Sequence, residues 1–383
     1  MNEKRPRWWD EMPTTFDAHP VACETCLFRS TTLEDGTFLD RANTGTCQIY
    51  EDMKPHEVYW DGAPCESYEK SDDRPLSLMV GLAVGDALGV PVEFKPRGSF
   101  HVTGMQGNGT HNQPAGTWSD DTSLALALAD GILPNSLGLE SIAYNFKQWY
   151  DKGAYTPYGK VFDVGGATAR AIARLKKGVP PTEAGGKDGR DNGNGSLMRI
   201  APLTFYMFGI RDPKERYSIV KDVSSITHAH ETSVTACFIY VEMLNWIRMN
   251  RAKDVAYAKV KEYFQKYFPF INDELKARFS RILQGDIRDL AEADIRSSGY
   301  VVDTLEAAFW SFLTTDNYRD AVLKAVNLGV DTDTVGAVTG AMAGLAYGLD
   351  AIPKEWRRQL AAYDEIRRIT VAMPRWDHFR SAS

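Results

Sequence analysis

The most constraining feature of the sequence is the stretch of residues 326–350, VNLGVDTDTVGAVTGAMAGLAYGLD. Its glycines, Gly336, Gly340, Gly344 and Gly348, recur at every fourth position among mostly apolar residues. Residues four apart share one face of a helix, and each glycine costs a helix about 1 kcal/mol relative to alanine. The pattern therefore predicts a buried helix with one face that another backbone approaches closely.

Carboxylates and hydroxyls precede two of the most apolar helices that the sequence predicts. The two clusters are Ser119, Asp120, Asp121 and Thr122, and Asp331, Thr332, Asp333 and Thr334. Helix capping accounts for one such carboxylate, but a buried pair costs several kcal/mol unless it is neutralised. Oxygen ligands alone favour magnesium, calcium or manganese, and four carboxylates suffice to hold two such ions. The clusters therefore predict a divalent metal site.

Length and charge bound the class of protein. The 383 residues exceed the size of most single cores, so we expect one large domain and a smaller module. A formal net charge of −7 argues against nucleic acid as the main partner, because phosphate binding calls for a basic surface. The N-terminus lacks an apolar signal segment and no apolar run indicates a membrane span. We therefore expect a cytoplasmic protein without a membrane partner.

Four of the five cysteines, Cys23, Cys26, Cys47 and Cys65, lie near the N-terminus. In a reducing compartment, four thiolates that include a C-x2-C pair suit one structural zinc ion, with His56 as a substitute ligand. A second C-x2-C pair is missing, so unmetallated thiols, disulfides and an iron–sulfur cluster stay open as alternatives. The fifth cysteine stands in an apolar helical pattern and is predicted to be a small core residue.

The uneven distribution of the cysteines indicates that the chain consists of two units. Residues 1–72 form a cysteine-rich module whose thin core a bound metal would support, and residues 73–383 form an all-α domain. Strand-like alternation is scarce in the second unit, and no repeat of fixed period is present. Helices are predicted at residues 139–152, 165–177, 216–226, 231–249, 254–268, 273–283, 304–314, 318–328 and 335–349.

Two more acidic residues stand in the segment GDALGVPVEF. Asp86 lies inside an apolar helix, where a structural hydrogen bond to a loop is its expected role. Glu93 follows Pro91, where that helix must end. It is either a surface residue or a carboxylate directed at the cations.

Two glycine loops lead into helix starts, GNGSLMR at residues 193–199 and FDVGGATAR at residues 162–170. Free backbone N–H groups at such places bind anions, although a plain loop with a helix cap is the commoner structure. Two loops of this kind favour a nucleotide diphosphate as ligand, with Gly165 and Ser196 among the residues that would contact it. His228 is either a base-stacking residue or an ordinary core histidine.

Taken in order, six segments resemble the ADP-ribosylglycohydrolase family, which includes the enzyme that reactivates dinitrogenase reductase. The segments, which span about residues 76–373, are GLAVGDALGVPVEF, GTWSDDTSLALALAD, FDVGGATARAI, GNGSLMRIAPL, THAHETSVTA and VNLGVDTDTVGAVTGAMAGLAYG. The family's fold is a compact all-α domain with a binuclear magnesium or manganese site. The resemblance therefore implies that fold and two Mg²⁺ or Mn²⁺ ions, and it does not extend to the cysteine-rich module.

Site residues carry over from the family at the matching positions. By resemblance, the metal ligands are Ser119, Asp120, Asp121, Asp331, Asp333 and Thr334. Ser119 replaces the threonine that family members usually have and keeps its hydroxyl. The residues implied to hold the phosphates are Asn194, Gly195 and Ser196, and His228 is implied to lie near the adenine side.

The resemblance also implies the reacting groups. Glu93 matches the family's acidic residue beside the metals, and Asp163 matches a position that contacts the leaving arginine in some members. Glu93 or Asp121 is then the expected base for the attacking water, and Asp163 is the expected proton donor. A general acid or base of this kind typically contributes 10²- to 10⁴-fold.

The expected reaction is hydrolysis of the glycosidic bond at C1″ of ADP-ribose attached to a protein side chain, with arginine the first choice. Its partners would be the ADP-ribosylated protein and free ADP-ribose. One alternative is an immunity protein that binds an ADP-ribosylating toxin through its N-terminal extension, as some bacterial family members do. A second alternative is a hydrolase of a small ADP-ribose ester or conjugate.

Overall fold

The computed structural model describes residues 73–133, 136–249, 252–267, 273–371 and 373. Within these residues the chain forms helices and loops, with isolated β-bridges and no strand, so the predicted all-α class is confirmed. The α-helices of the described residues are α1 (Arg74–Gly89), α2 (Asp120–Gly131), α3 (Leu139–Lys152), α4 (Gly166–Lys176), α5 (Pro181–Ala184), α6 (Leu203–Tyr206), α7 (Pro213–Ser225), α8 (Glu231–Arg248), α9 (Lys253–Tyr267), α10 (Asp273–Arg278), α11 (Ser280–Leu283), α12 (Val301–Leu313), α13 (Tyr318–Val326), α14 (Thr332–Tyr347), α15 (Lys354–Gln359) and α16 (Tyr363–Thr370).

The predictions for the cysteine-rich module lie outside the described residues. They concern residues 1–72 and the zinc ligands proposed there, Cys23, Cys26, Cys47 and Cys65, and they stay predictions, as does the boundary after residue 72. The fifth cysteine, Cys237, lies within α8 and is buried, as its apolar surroundings in the sequence predict.

The centre of the domain is the contact between α1 and α14, which pack antiparallel with their backbones touching. A Cβ added at Gly85 would overlap the carbonyl oxygen of Gly336, closer than the 3.0 Å that real Cβ atoms respect. The predicted close approach is therefore confirmed. The glycines of the contact, which we name the glycine seam, are Gly81, Gly85, Gly89, Gly336, Gly340 and Gly344.

The prediction was wrong about Gly348. This residue has a left-handed φ of 83° and ends α14 without taking part in the contact. A glycine at this place supplies the positive φ that terminates a helix.

Buried tyrosines tie the seam to the surrounding helices. Tyr318 of α13 donates a hydrogen bond to the carbonyl oxygen of Gly81 over 2.8 Å, and Tyr240 of α8 donates to Val338 over 3.0 Å. Helices α12 and α13 pack against α14, while α2 and α16 pack against α1. The central pair is thus enclosed by other helices.

The segment Arg74–Val92 is long and apolar enough to cross a membrane by composition, which the sequence reading had not recognised. The apolar part of this segment is entirely buried inside the domain. Burial against α14 and α2 is the environment of a core helix, and it accounts for the apolar composition.

Two helix boundaries differ from the predicted ones in ways that matter. Helix α14 begins at Thr332 rather than at residue 335, so Asp333 and Thr334 lie in its first turn. The helix predicted at residues 273–283 is divided at Phe279 into α10 and α11. Helices α15 and α16 were not predicted, because their short lengths give little periodic signal.

Candidate active site

The glycine seam brings the end of α1 against the start of α14. A Cβ at Gly89 would overlap the backbone of Asp333, and the 3₁₀ turn Val90–Val92 then leads directly to Glu93. One carboxylate oxygen each of Glu93, Asp331 and Asp333 lies within 4.8 Å of the other two. Glu93, Asp331 and Asp333 therefore meet because α1 and α14 contact each other through glycines, which lets the two backbones come close together.

The start of α2 adds a second set of oxygens. Ser119 caps this helix by accepting a hydrogen bond from the Asp121 backbone N–H, and its hydroxyl lies 3.2 Å from Asp121 Oδ2. The Thr334 hydroxyl donates to the same Oδ2 over 3.4 Å. Ser119, Asp121 and Thr334, from distant parts of the chain, are thus brought together in a buried position.

Asp86 of α1 holds the start of α2 in place. Its carboxylate accepts hydrogen bonds from the backbone N–H groups of Ser119 and Thr122, and from the Thr122 hydroxyl at 2.6 Å. This agrees with the structural role that the sequence suggested. Hydrogen bonds to a charged group contribute about 1.5–3 kcal/mol each, so Asp86 fixes the segment that carries Asp120 and Asp121.

Burial and mutual repulsion dominate the electrostatics of the site. Burial raises the pKa values of Asp120, Asp121 and Asp333 well above the ordinary value, and neighbouring carboxylates raise them further. Burial also raises the pKa of Asp331, against the effect of a hydrogen bond from Asn194. The site concentrates negative charge in a medium where such charge is costly.

Glu93 and Asp163 share a histidine that the sequence analysis missed. His111 Nε2 is hydrogen-bonded to Glu93 Oε2, and one ring nitrogen of His111 lies within 4.8 Å of ligand atoms of both Glu93 and Asp163. Burial raises the pKa of Glu93 to about 7. The only signal for His111 was its place in a polar loop rich in glycine and asparagine, which is a general property of loops.

Asn194 is hydrogen-bonded to one of the clustered carboxylates, a contact that the sequence did not suggest. Its side-chain amide donates to Asp331 Oδ2 over 2.9 Å and to the Thr304 hydroxyl over 2.8 Å. The structure thus directs this amide toward the acidic cluster. Its backbone N–H donates to the Gly299 carbonyl over 3.1 Å, and the phosphate contact of Asn194 stays a prediction.

Ser196 does not reach the site surface. It is fully buried, and its hydroxyl accepts a hydrogen bond from Ser224 over 2.9 Å and lies 3.4 Å from Cys237 Sγ. Its side chain therefore packs against α7 and α8, and the predicted phosphate contact, which relied on backbone N–H groups of this loop, stays a prediction. The hydroxyl turns inward because the chain forms a tight turn after Gly195.

Gly195 and His228 form a packed pair. A Cβ at Gly195 would overlap the His228 ring, and Nδ1 of that ring lies 2.8 Å from the Thr227 hydroxyl. His228 is buried beneath the glycine loop and supports it from below. Gly165 caps α4 at an exposed position, where its backbone is open to a ligand.

Strained backbone joins the two acidic segments. Phe94 and Val330 have left-handed φ values of 64° and 67°, which are uncommon outside glycine and a true outlier for a β-branched residue. Phe94 donates its N–H to the Val330 carbonyl over 2.6 Å, and Val330 donates to Lys95 over 2.9 Å. Strain of this kind collects at functional sites, and here it fixes the segments of Glu93 and Asp331 to each other.

The residues present fit a hard divalent cation. Within the part of the chain that the structure describes, Asp121 Oδ1 is buried and has no hydrogen-bond partner. The surrounding groups offer oxygen atoms, the ligand type of Mg²⁺ and Mn²⁺. A buried, unsatisfied carboxylate oxygen among repelling carboxylates is what a bound cation would satisfy.

Comparison with known proteins agrees with this site. A family model described as ADP-ribosylglycohydrolase matches residues 67–379. The chain is 34% identical over 329 residues to the ADP-ribosylarginine hydrolase Tri1 of Serratia proteamaculans, which covers 85% of both chains. It is 30% identical over 295 residues to the ADP-ribosyl-[dinitrogen reductase] glycohydrolase of Rhodospirillum rubrum, which covers 75% of this chain and 90% of that protein.

A solved structure gives the same result at the level of the fold. The structure described as an ADP-ribosylglycohydrolase-related protein complex superimposes with a TM-score of 0.65 at 34% identity, covering 80% of this chain and 98% of that chain. The buried acidic cluster, the helical fold and these relatives agree, and the chain belongs to the ADP-ribosylglycohydrolase family, a family of hydrolases.

Proposed function

We propose that this protein removes ADP-ribose from modified arginine side chains by hydrolysis of the glycosidic bond at C1″. The observation that carries the proposal is the convergence of Glu93, Asp331 and Asp333 within 4.8 Å of one another, next to Asp121 and Asp163. The arginine linkage is favoured because relatives 34% identical to this chain are described as ADP-ribosylarginine hydrolases.

The cofactor that we propose is a pair of Mg²⁺ or Mn²⁺ ions. The side chains that would hold them are Ser119, Asp120, Asp121, Asp331, Asp333 and Thr334. When bound, such ions would offset the carboxylate charge, orient ribose hydroxyls and lower the pKa of a water molecule. The orphaned Asp121 Oδ1 supports this assignment.

Glu93 is the group that we assign to proton abstraction from the attacking water. Its Oε2 is engaged by His111, so a proton from the water would pass to Oε1. Burial raises the pKa of Glu93 to about 7 without bound cations, and cations beside it would lower that pKa and keep the carboxylate in the ionised form that a general base requires. Asp121 is less suited to that role, because its Oδ2 accepts hydrogen bonds from Ser119 and Thr334 and its unpartnered Oδ1 is the oxygen that we assign to a cation.

Asp163 is the group that we assign to the leaving arginine. Burial raises its pKa, which is the direction that favours a proton donor to the departing nitrogen. As the C1″–N bond breaks, positive charge develops on the sugar in an oxocarbenium-like transition state. The surrounding carboxylates stabilise that charge, and water supplies the hydroxyl that completes ADP-ribose.

The test is release of free ADP-ribose from an ADP-ribosylated arginine peptide with Mg²⁺ and with EDTA. We expect turnover only with the metal, none for Asp333→Ala, and a fall of 10²- to 10⁴-fold for Glu93→Gln. Asp350→Ala, which changes an exposed carboxylate, is the matched control. Full activity in EDTA would overturn the metal assignment, and an unaffected Glu93→Gln enzyme would remove Glu93 from the reaction.

A second candidate function is immunity against an ADP-ribosylating toxin, and it stays a proposal. It is favoured by the solved relative that is described as a complex and by the N-terminal segment, most of which precedes the family match. Toxin neutralisation by the Asp333→Ala protein would support binding without turnover. Turnover on O-acetyl-ADP-ribose but not on the peptide would instead favour a small conjugate as substrate.

A further inference from the structure

A row of three rings, of which Phe94 is exposed and His111 and Phe162 are half-buried, borders Glu93 and Asp163. Phe94 is 66% exposed although it follows directly after Glu93. Its ring lies 5.9 Å from the His111 ring, and the His111 ring lies 5.2 Å from Phe162. Phe162 precedes Asp163 in the chain, so each phenylalanine is the neighbour of a site carboxylate. We name Phe94, His111 and Phe162 the aromatic row.

The position of Phe94 is maintained against conformational preference. Two hydrogen bonds hold its left-handed φ of 64°: Phe94 N–H donates to the Val330 carbonyl, and Val330 N–H donates to the Lys95 carbonyl. About two thirds of Phe94 is exposed, so hydrophobic burial offsets little of the cost of this backbone conformation. A ligand that covers the ring would account for it.

We propose that the aromatic row is the wall against which the guanidinium of the substrate arginine stacks, and that Phe94 and Phe162 select the arginine linkage. This inference rests on the proposed function. A guanidinium is planar and weakly hydrated, and it combines stacking on aromatic faces with pairing to carboxylates. Asp163, which we assign to the leaving arginine, supplies the carboxylate, and the row supplies the faces.

A neutral serine linkage would not use such a wall. Its ether oxygen has no planar cation to place against a ring, so the row offers it only nonspecific contact. Selection for arginine thus follows from the flat, electron-rich faces of the row.

The experiment measures kcat and KM of the full chain with Mg²⁺ on ADP-ribosylated agmatine, a small guanidinium conjugate. We expect Phe94→Ala and Phe162→Ala each to raise KM roughly 2- to 30-fold, the range given by cation–π energies. Phe94→Trp should restore a KM near that of the wild type. Tyr158→Ala is the control. It removes an exposed ring that is not part of the aromatic row, and it should leave KM unchanged.

A second readout separates stacking from general damage. Free ADP-ribose lacks the guanidinium, so its affinity, measured by calorimetry, should be the same for wild type and both alanine variants. A loss of ADP-ribose affinity in step with KM would overturn the inference, because the rings would then only support the fold. A defect seen with an ADP-ribosylated protein but not with the agmatine conjugate would also overturn it, since the rings would then contact other parts of that protein.

The two proposals fail in different ways. If the wild type releases no ADP-ribose from the agmatine conjugate or from an arginine peptide, the proposed arginine function fails. If the wild type turns the conjugate over and both alanine variants keep its KM, the proposed function stands and the aromatic row is excluded as the guanidinium wall.

Discussion

The side-chain amide of Asn194 donates a hydrogen bond to Asp331 Oδ2 over 2.9 Å, across 137 residues of sequence. This contact orients a carboxylate that we assign to the metal, and Asn194 is itself held by Thr304. Partners of metal ligands typically contribute 10- to 100-fold to metal affinity.

Asn194→Ala should therefore weaken Mn²⁺ binding by roughly 10- to 100-fold, measured by titration calorimetry. Asn192→Ala changes an asparagine of the same loop whose backbone carbonyl, rather than its side chain, bonds to Val301, and it serves as control. Equal Mn²⁺ affinity of the Asn194→Ala protein and the wild type would show that the amide does not act on the metal ligand.

Metal binding should reverse the order of stability of the wild type and the Asp333→Asn protein. In EDTA, Asp333→Asn removes one of several repelling buried carboxylates, so we expect its melting temperature to equal or exceed that of the wild type. In saturating Mg²⁺ the order should reverse, because a ligand at 100 times its Kd stabilises the wild type by about 2.7 kcal/mol. Differential scanning calorimetry of both proteins in both buffers gives the comparison. A wild type whose melting temperature ignores Mg²⁺ would contradict the site.

The glycine seam should not accept a methyl group. Gly85→Ala would press a Cβ into the backbone of Gly336, and overpacking of this kind costs typically 1–3 kcal/mol and occasionally more. We expect a lower midpoint of urea denaturation and weaker metal binding, since the seam positions Glu93 and Asp333. Gly189→Ala places a methyl group in open space and should be nearly neutral. Wild-type stability of the Gly85→Ala protein would mean that the two backbones can separate freely.

His228 should make the folded protein sensitive to acid. Burial, with the nearby charge of Arg199, lowers the pKa of His228 to about 3, whereas an unfolded histidine has a pKa of about 6.5. As pH falls through this window the unfolded chain gains a proton that the folded protein excludes, so stability falls by up to about 1.4 kcal/mol per pH unit.

His228→Asn should flatten that slope, measured as the free energy of unfolding in urea at pH 7, 6 and 5. Gly189→Ala, which adds a methyl group in open space and changes no titratable group, should leave the slope as in the wild type. An unchanged slope in the His228→Asn protein would show that His228 is protonated in the folded state.

The sequence predicted the helical fold and the acidic clusters for a common reason. Glycine at every fourth position and paired carboxylates before apolar helices are local patterns with few physical explanations. Asp331 and Asp333 could be singled out because a carboxylate that must be buried needs a partner. The glycines alone predicted that another backbone approaches α14, but they did not identify that backbone as α1.

Contacts across the chain could not be predicted in the same way. His111 lies 18 residues from Glu93 in a loop whose path depends on tertiary packing. Ser196 was assigned to phosphate because it follows a glycine loop, yet its hydroxyl faces Ser224 in the core. The direction in which a loop side chain points is set by the elements beneath it, and sequence spacing carries no information on that direction.

The glycine seam and the loops that carry Phe94 and Phe162 differ in how far their side chains can be exchanged, which determines how the specificity of this enzyme can be engineered. Gly85 and Gly336 leave no room for adjustment, so the distance between the carboxylates is set by main-chain geometry. Phe94 and Phe162 stand on loops outside the seam, where exchange of a side chain leaves that distance unchanged. Libraries that aim to redirect the enzyme to another ADP-ribosyl bond should vary these loops and keep the paired glycines as a constant scaffold.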